Sequence, residues 1–364
     1  MRDKIPFDHP PYHAIKTERK WKMEDLSFWK SNLTDIETAI ANIQRGRVTE
    51  IGRSAGNRPI YLVEYGERDS YERTANYSSA LGAGDVSVYK QNKKPHVLIV
   101  SGEHGAEWEG IVASINLIHI FETGTDLRGT PYPELENWYK TSYVAMILAA
   151  NPDGRARIKQ DTVVGLTRPE FRKLDQGIWL NGDFCDWPEC KRFHPIKKYV
   201  KQLGGYFNDD GINLIHDNAF APMAEETKII LRTISDMAPD FIAAMHGHGG
   251  MDYGHLIPAP KQNITCIQQC IKLDDLVNER MAQRGYLFRK RGTGWENFPL
   301  REHISMHDAM HLCSGAITVV YESDQGVNVR DGDESKLENR HTLIYEKAMT
   351  FYETIKIFTD GLYS

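Results

Sequence analysis

Four stretches of this 364-residue chain are apolar at almost every position and then stop abruptly: "HVLIVSG", "YVAMILAA", "DFIAAMHG" and "AITVVYES". Strict alternation would mark strands with one wet face, whereas an unbroken apolar run of this length marks a strand buried on both faces. Such strands need helices above and below them. The chain supplies helical patterns in "LSFWKSNLTDIETAIANIQRG", "MAEETKIILRTISDM", "ITCIQQCIKLDDLVNERMAQRG" and the closing "RHTLIYEKAMTFYETIKIF", with further strand-like segments in "RPIYLVEYG" and "YLFRKRG". Helical and strand-like patterns alternate along the chain, so an α/β layer fold is expected.

Three of the runs end in ionisable residues. "SGEHGAE" places His104 and Glu107 between Glu103 and Glu109, "MHGHGG" places His246 and His248, and "VVYESD" places Glu322. Ligands of open α/β sheets bind beyond the carboxyl ends of the strands, so these ends can converge. Charge left there is costly to bury unless something compensates it. His104 and Glu107 offer a nitrogen and an oxygen within one turn of chain, and His246 offers a second nitrogen from a distant strand. Two imidazoles and one carboxylate, with a fourth position for water, are a standard form of the catalytic zinc site. Glu322 is then the free carboxylate able to take a proton from that water. A His-x-x-Glu pair is a weak signal in a chain with 14 histidines. His246 alone would read as a core histidine, and Glu322 alone as a surface charge. Their joint placement at strand ends sharpens the assignment.

With "GEHGAEWEG", "NPDG", "DFIAAMHGHGG" and "VVYES" in hand, the chain resembles the zinc metallocarboxypeptidases of the carboxypeptidase A and B type. "IGRSAGNRPIYLVEYG" and "MAEET" extend the likeness to roughly residues 50–325. The resemblance implies a three-layer α/β/α sandwich around a mixed, mostly parallel sheet of about eight strands. It also implies one zinc ion held by His104, Glu107 and His246, with Glu322 as general base that passes its proton to the leaving amine. Asn151 of "NPDG", His216 and His248 become candidate substrate contacts. Glu103 and Glu109 are expected beside the ligands or at the surface.

The departures from the family bear on substrate. Its Asn-Arg pair for a terminal carboxylate falls here on Ile215 and His216, in "DDGINLIHDN". One imidazole offers a carboxylate a single donor where a guanidinium offers a fork. The Arg that supports the oxyanion should follow "NPDG", where Arg155, Arg157, Arg168 and Arg172 all stand; Arg168 is nearest in spacing. The family's capping Tyr has no counterpart in "GWENFPLREHISMH", where Trp295, Arg301 or His303 could line the pocket.

The expectation is a zinc hydrolase cleaving an amide bond of a small peptide or N-acyl substrate. The alternative is a conventional carboxypeptidase with a re-sited Arg, and a non-catalytic binding module is the third reading. The net charge of −6, without a long Lys/Arg block, argues against nucleic acid. No apolar run approaches the roughly 18 residues of a membrane span. The polar, Pro-broken N-terminus does not read as a secretory segment, and five cysteines without a dense framework read as free thiols, so a cytoplasmic protein is expected. Cys185 and Cys190 could clip together but read better as reduced thiols, and Cys266 and Cys270 as core. One domain over 1–364 is expected, with an N-terminal extension and helix over 1–47 and a surface insertion over 155–215 near the site. Oligomeric state is not read from the sequence.

Overall fold

Local hydrogen bonding sets where the first helix begins. In the computed structural model, which describes residues 28–69, 76–89, 92–161, 163, 166–186, 189–192, 194–248, 255–260, 263–283 and 304–325, α1 spans Leu33–Ala41. Asn32 accepts from the Asp35 N–H, and Asp35 accepts in return from the N–H groups of Ser31 and Asn32. This capping box starts the helix later than the apolar pattern of "LSFWKSN" suggests. Phe28 packs instead against Val112.

The chain continues through β1 (Arg47–Arg53), β2 (Pro59–Tyr65), α2 (Tyr77–Gly82), β3 (His96–Ser101), α3 (Glu109–Thr123), α4 (Pro133–Glu136), β4 (Tyr143–Ile147) and α5 (Pro152–Arg157). It then forms α6 (Arg168–Asp175), β5 (Gly177–Trp179), β6 (Val200–Leu203), α7 (Glu225–Met237) and β7 (Phe241–His248). The last described elements are β8 (His255–Ala259), α8 (Ile264–Gln283), α9 (Met306–Ser314) and β9 (Ile317–Asp324). The "YLFRKRG" strand, the closing helix, Trp295, Arg301 and His303 lie outside the described residues.

Seven described strands form one mixed sheet in the order β1-β2-β4-β3-β7-β9-β8. The four apolar runs are its parallel centre, β4, β3, β7 and β9. The antiparallel β1, β2 and β8 flank it. Side chains of successive residues leave on opposite faces, which divides the core in two. One half packs Val97, Ile99, Met245 and Tyr321 against α1, α3 and α8. The other packs Leu98, Val100 and Ile242 against α7 and α9. The result is the expected α/β/α layering. At about 25 cal/mol per Å² of apolar surface, these two cores are the main force holding the strand ends in place.

Residues 155–215 contain their own small structure. Strands β5 and β6 pair antiparallel, and Cys185, Cys190, Ile196 and Phe207 form a separate apolar cluster. Both cysteines there are buried free thiols, and Cys266 and Cys270 are buried in α8. No described helix is long and apolar enough to cross a membrane.

Candidate metal centre

The carboxyl ends of β3 and β7 are neighbours in the sheet, and the turn after β3 brings His104 and Glu107 over the end of β7. Two glycines make that turn possible. Gly102 has a φ of 66°, a conformation that costs other residues. A Cβ on Gly105 would lie 2.0 Å from the Gly154 carbonyl carbon, so α5 can approach only a glycine.

Three side chains then meet. His104 Nδ1 lies 2.8 Å from Glu107 Oε1, and His246 Nδ1 lies 2.7 Å from Glu107 Oε2. All three are buried. The Gly247 N–H also donates to Glu107 Oε2. The far nitrogens settle the tautomers. His104 Nε2 is 3.3 Å from Asn213 Oδ1, an oxygen identified by the Ile215 N–H that donates to it. His246 Nε2 is 2.8 Å from Glu103 Oε2. Both partners are acceptors, so each Nε2 carries a hydrogen, and in the neutral ring that metal binding requires each Nδ1 turns a lone pair towards Glu107. Two lone pairs facing a carboxylate repel unless a proton or a cation stands among them.

The electrostatics follow the same pattern. Burial alone would raise Glu107, but the charges and hydrogen bonds of His104 and His246 outweigh it and hold the carboxyl at about 2. Glu103 is held well below the carboxylate range in the same way by His307 and His246. Burial works against charge on His246, yet Glu107 and Glu103 push its affinity for a proton well up. A cluster that attracts a proton so strongly attracts a divalent cation at the same point. The donor set fits zinc in kind: two imidazole nitrogens and a carboxylate, with ligand atoms within 4.8 Å of one another.

Glu322 pairs in register with His246 across the parallel β7–β9 contact, so both side chains leave the sheet on the same face. Glu322 is half-buried there. His248 follows two residues later on that face, also half-buried. His216 stands in the loop beyond Asn213; burial, with Lys191 and the neighbouring imidazoles, lowers it to about 2. Asn151 is placed otherwise. It is fully buried, its Oδ1 accepts from the Gly154 N–H, and its amide donates to the backbone of Gly205 and Tyr206, so it braces the loop behind the site.

Of the four arginines, Arg155 is tied to Ser31, Ile158 and Asp161. Arg157 is tied to Gly204, Phe207 and Asp209, and Arg172 pairs with Asp186. Arg168 is exposed at the first turn of α6, seven residues before Asp175, or about 10 Å along the helix.

Several residues at the site escaped the sequence reading. Tyr206 stacks on His104 with ring centres 3.9 Å apart. Asp175 is fully buried, and burial together with Glu107 pushes its carboxyl well up. Asn213 and His307 each touch the ligand cluster or its carboxylate neighbour. His307 carried a readable signal: "SMHD" is a capping box, and Ser305 and Asp308 do cap α9. Glu103 and Glu109 are both buried, and Glu103 contacts a ligand directly.

Residues 36–258 match a family model described as zinc carboxypeptidase. That span includes His104, Glu107 and His246 and ends before Glu322. No curated protein matches the chain significantly. Among solved structures the chain is similar to the carboxypeptidase A of Helicoverpa armigera, with a TM-score of 0.53 and 13% identity over 93% of this chain and 76% of that one. It is similar to a metallo-carboxypeptidase of Burkholderia cenocepacia, with a TM-score of 0.52 and 14% identity over 90% of this chain and 70% of that one. Bovine thrombin-activatable fibrinolysis inhibitor, solved with a tick carboxypeptidase inhibitor, gives 0.53 and 12% over 92% and 99%. At these identities the likeness is one of fold.

Proposed function

Because this chain belongs to the zinc carboxypeptidase family, we propose that it hydrolyses an amide bond of a small peptide or N-acyl substrate, with His104, Glu107 and His246 holding one zinc ion and Glu322 as general base. One observation carries the reading: two Nδ1 atoms converge on Glu107, one from the turn after β3 and one from the end of β7, with Glu322 in register beside His246. When bound, zinc supplies Lewis acidity to the scissile carbonyl and brings the pKa of water to about 7.

The remaining work belongs to side chains of this chain. Glu322 accepts the proton of the attacking water and returns it to the leaving nitrogen. Tyr206 fixes the plane of the His104 ring by stacking on it. Arg168 is the oxyanion donor, because Arg155, Arg157 and Arg172 have their guanidinium groups committed elsewhere.

His216 supports the choice of substrate. In the motif match of the sequence it falls at the position of the family's carboxylate-binding Arg, and burial keeps its imidazole neutral at physiological pH. A neutral imidazole favours substrates whose recognised group is uncharged. A second reading, a carboxypeptidase with a re-sited cation, draws on Lys191, whose charge acts on His216. Zinc-loaded enzyme offered paired free-acid, amidated and N-acyl peptides separates the two. Hydrolysis of amidated and N-acyl members at rates near those of the acids is expected. A strict demand for a free carboxylate would favour the second reading.

A further inference from the structure

Glu103 is unusual for its place: a carboxylate with no exposed surface, directly behind a candidate metal ligand. Its Oε2 lies 2.8 Å from His246 Nε2 and 3.0 Å from His307 Nε2. An ionised carboxylate only accepts hydrogen bonds, so both imidazoles donate to the same oxygen. The His246 and His307 rings meet edge to face, with centres 5.2 Å apart at 85°. Three separate elements supply the cluster: the turn after β3, the end of β7 and the first turn of α9. The α9 cap, Ser305 with Asp308, fixes where that helix starts and so where His307 points.

We propose that Glu103 and His307 are a positioning pair for His246. Glu103, steadied by His307, holds the Nε2 proton of His246, and so fixes the tautomer and ring plane that present Nδ1 to the metal position. The proposal rests on the zinc-site reading above. It assigns the two ligand histidines unequal support. His104 is backed by the neutral Asn213 amide at 3.3 Å, whereas His246 is backed by a full negative charge at 2.8 Å. A carboxylate behind an imidazole strengthens the opposite nitrogen as a donor, so His246 is the stronger nitrogen ligand.

The same atoms admit a rival. Glu103, His246 and His307 place their ligand atoms within 4.8 Å of one another, as a second cation site would. A neutral imidazole has only one lone pair, however. His246 cannot spend it on Nε2 while Nδ1 serves Glu107's side, so a second cation there would compete with the first.

Chelator competition on the full-length protein, with Zn²⁺ titrated into wild type, Glu103→Gln and His307→Gln, tests the pair; the visible spectrum of the Co²⁺-loaded forms is recorded alongside. Wild type should bind one equivalent. E103Q should bind zinc about 10- to 100-fold more weakly and shift the cobalt spectrum, and H307Q should show a smaller loss in the same direction. Equal affinity and spectrum in E103Q, with wild type binding one zinc, would overturn the pair alone. A second equivalent in wild type that H307Q abolishes would replace it with a second cation site. No zinc bound by wild type would sink the underlying metal reading. Should E103Q not fold, H307Q decides: affinity equal to wild type overturns the proposal.

Discussion

Asp153 and Glu107 are both buried carboxylates in the same half of the molecule, yet their surroundings are opposite in kind. Asp153 Oδ1 accepts from Ser54 Oγ and Arg58 Nη1, and Oδ2 accepts from the N–H groups of Gly56 and Asp209. Every partner is a donor, and the cluster joins the β1–β2 turn to α5 and the loop at Asp209. Glu107 faces two imidazoles whose hydrogens are already given to Asn213 and Glu103. Among the described residues, the Gly247 N–H donates to it whatever the state of the two rings. Depth of burial does not separate the two. The direction of the neighbouring hydrogens does: one cluster is finished by protein alone, and the other is completed only when a proton or a cation stands among its lone pairs.

The sharpest way to break this contrast is at Glu322. Glu322→Gln should retain one zinc and lose about 10²- to 10⁴-fold in kcat, read by turnover on a peptide substrate beside the metal content of the same sample. Hydrolysis at the native rate would remove Glu322 from the chemistry.

Metal removal tests the unfinished cluster as a whole. Chelation should abolish activity and zinc should restore it. Zinc at 100 times its Kd should also raise stability by about 2.7 kcal/mol, measured as a rise in Tm. His104→Ala should show no such rise. Asp153→Asn should behave in the reverse way. It leaves Arg58 short of a partner, at a cost of about 2–4 kcal/mol in denaturant unfolding, while zinc affinity stays within about twofold of wild type. A large loss of zinc affinity in that variant would mean that the two clusters are one.

The contrast also marks what the sequence could disclose. Continuous apolar runs identified β3, β4, β7 and β9, and the residues that ended them, His104, Glu107, His246 and Glu322, are those the fold gathers at one end of the sheet. Edge elements were harder to read. Strand β1 alternates irregularly in burial, with a register shift between Glu50 and Gly52, and β8 carries Pro258, which only an edge tolerates. Of the partners behind the ligands, Glu103 reads in the sequence only as standing beside them or at the surface, and Asn213 is not singled out. Asn213 sits in a short turn without periodicity, and Glu103 is one carboxylate among three in a nine-residue stretch. Their roles depend on contacts across more than 100 residues of chain, which local pattern does not encode.

A third buried group, His96, gives the smallest and most selective prediction. It has no exposed surface, and its Nε2 accepts from the Asp69 N–H at 3.2 Å, so the ring is held in its neutral form. Burial lowers its pKa to about 4, against the pull of Asp69. The unfolded chain, with an ordinary value near 6.5, takes up the proton first. Stability from this residue is therefore complete above about pH 6.5 and falls as the pH drops towards 4, by about 2 kcal/mol at pH 5. His96 accepts from a backbone donor and has no part in the ligand cluster, so its share of the acid slope should be the same in chelated and zinc-loaded protein, while acid release of zinc adds a slope of its own to the loaded form. His96→Gln should remove the share common to both. Denaturant unfolding at pH 7, 6 and 5, with and without zinc, measures both. A slope present only in the zinc-loaded form would trace the acid sensitivity to ligand release and leave His96 with no share in it.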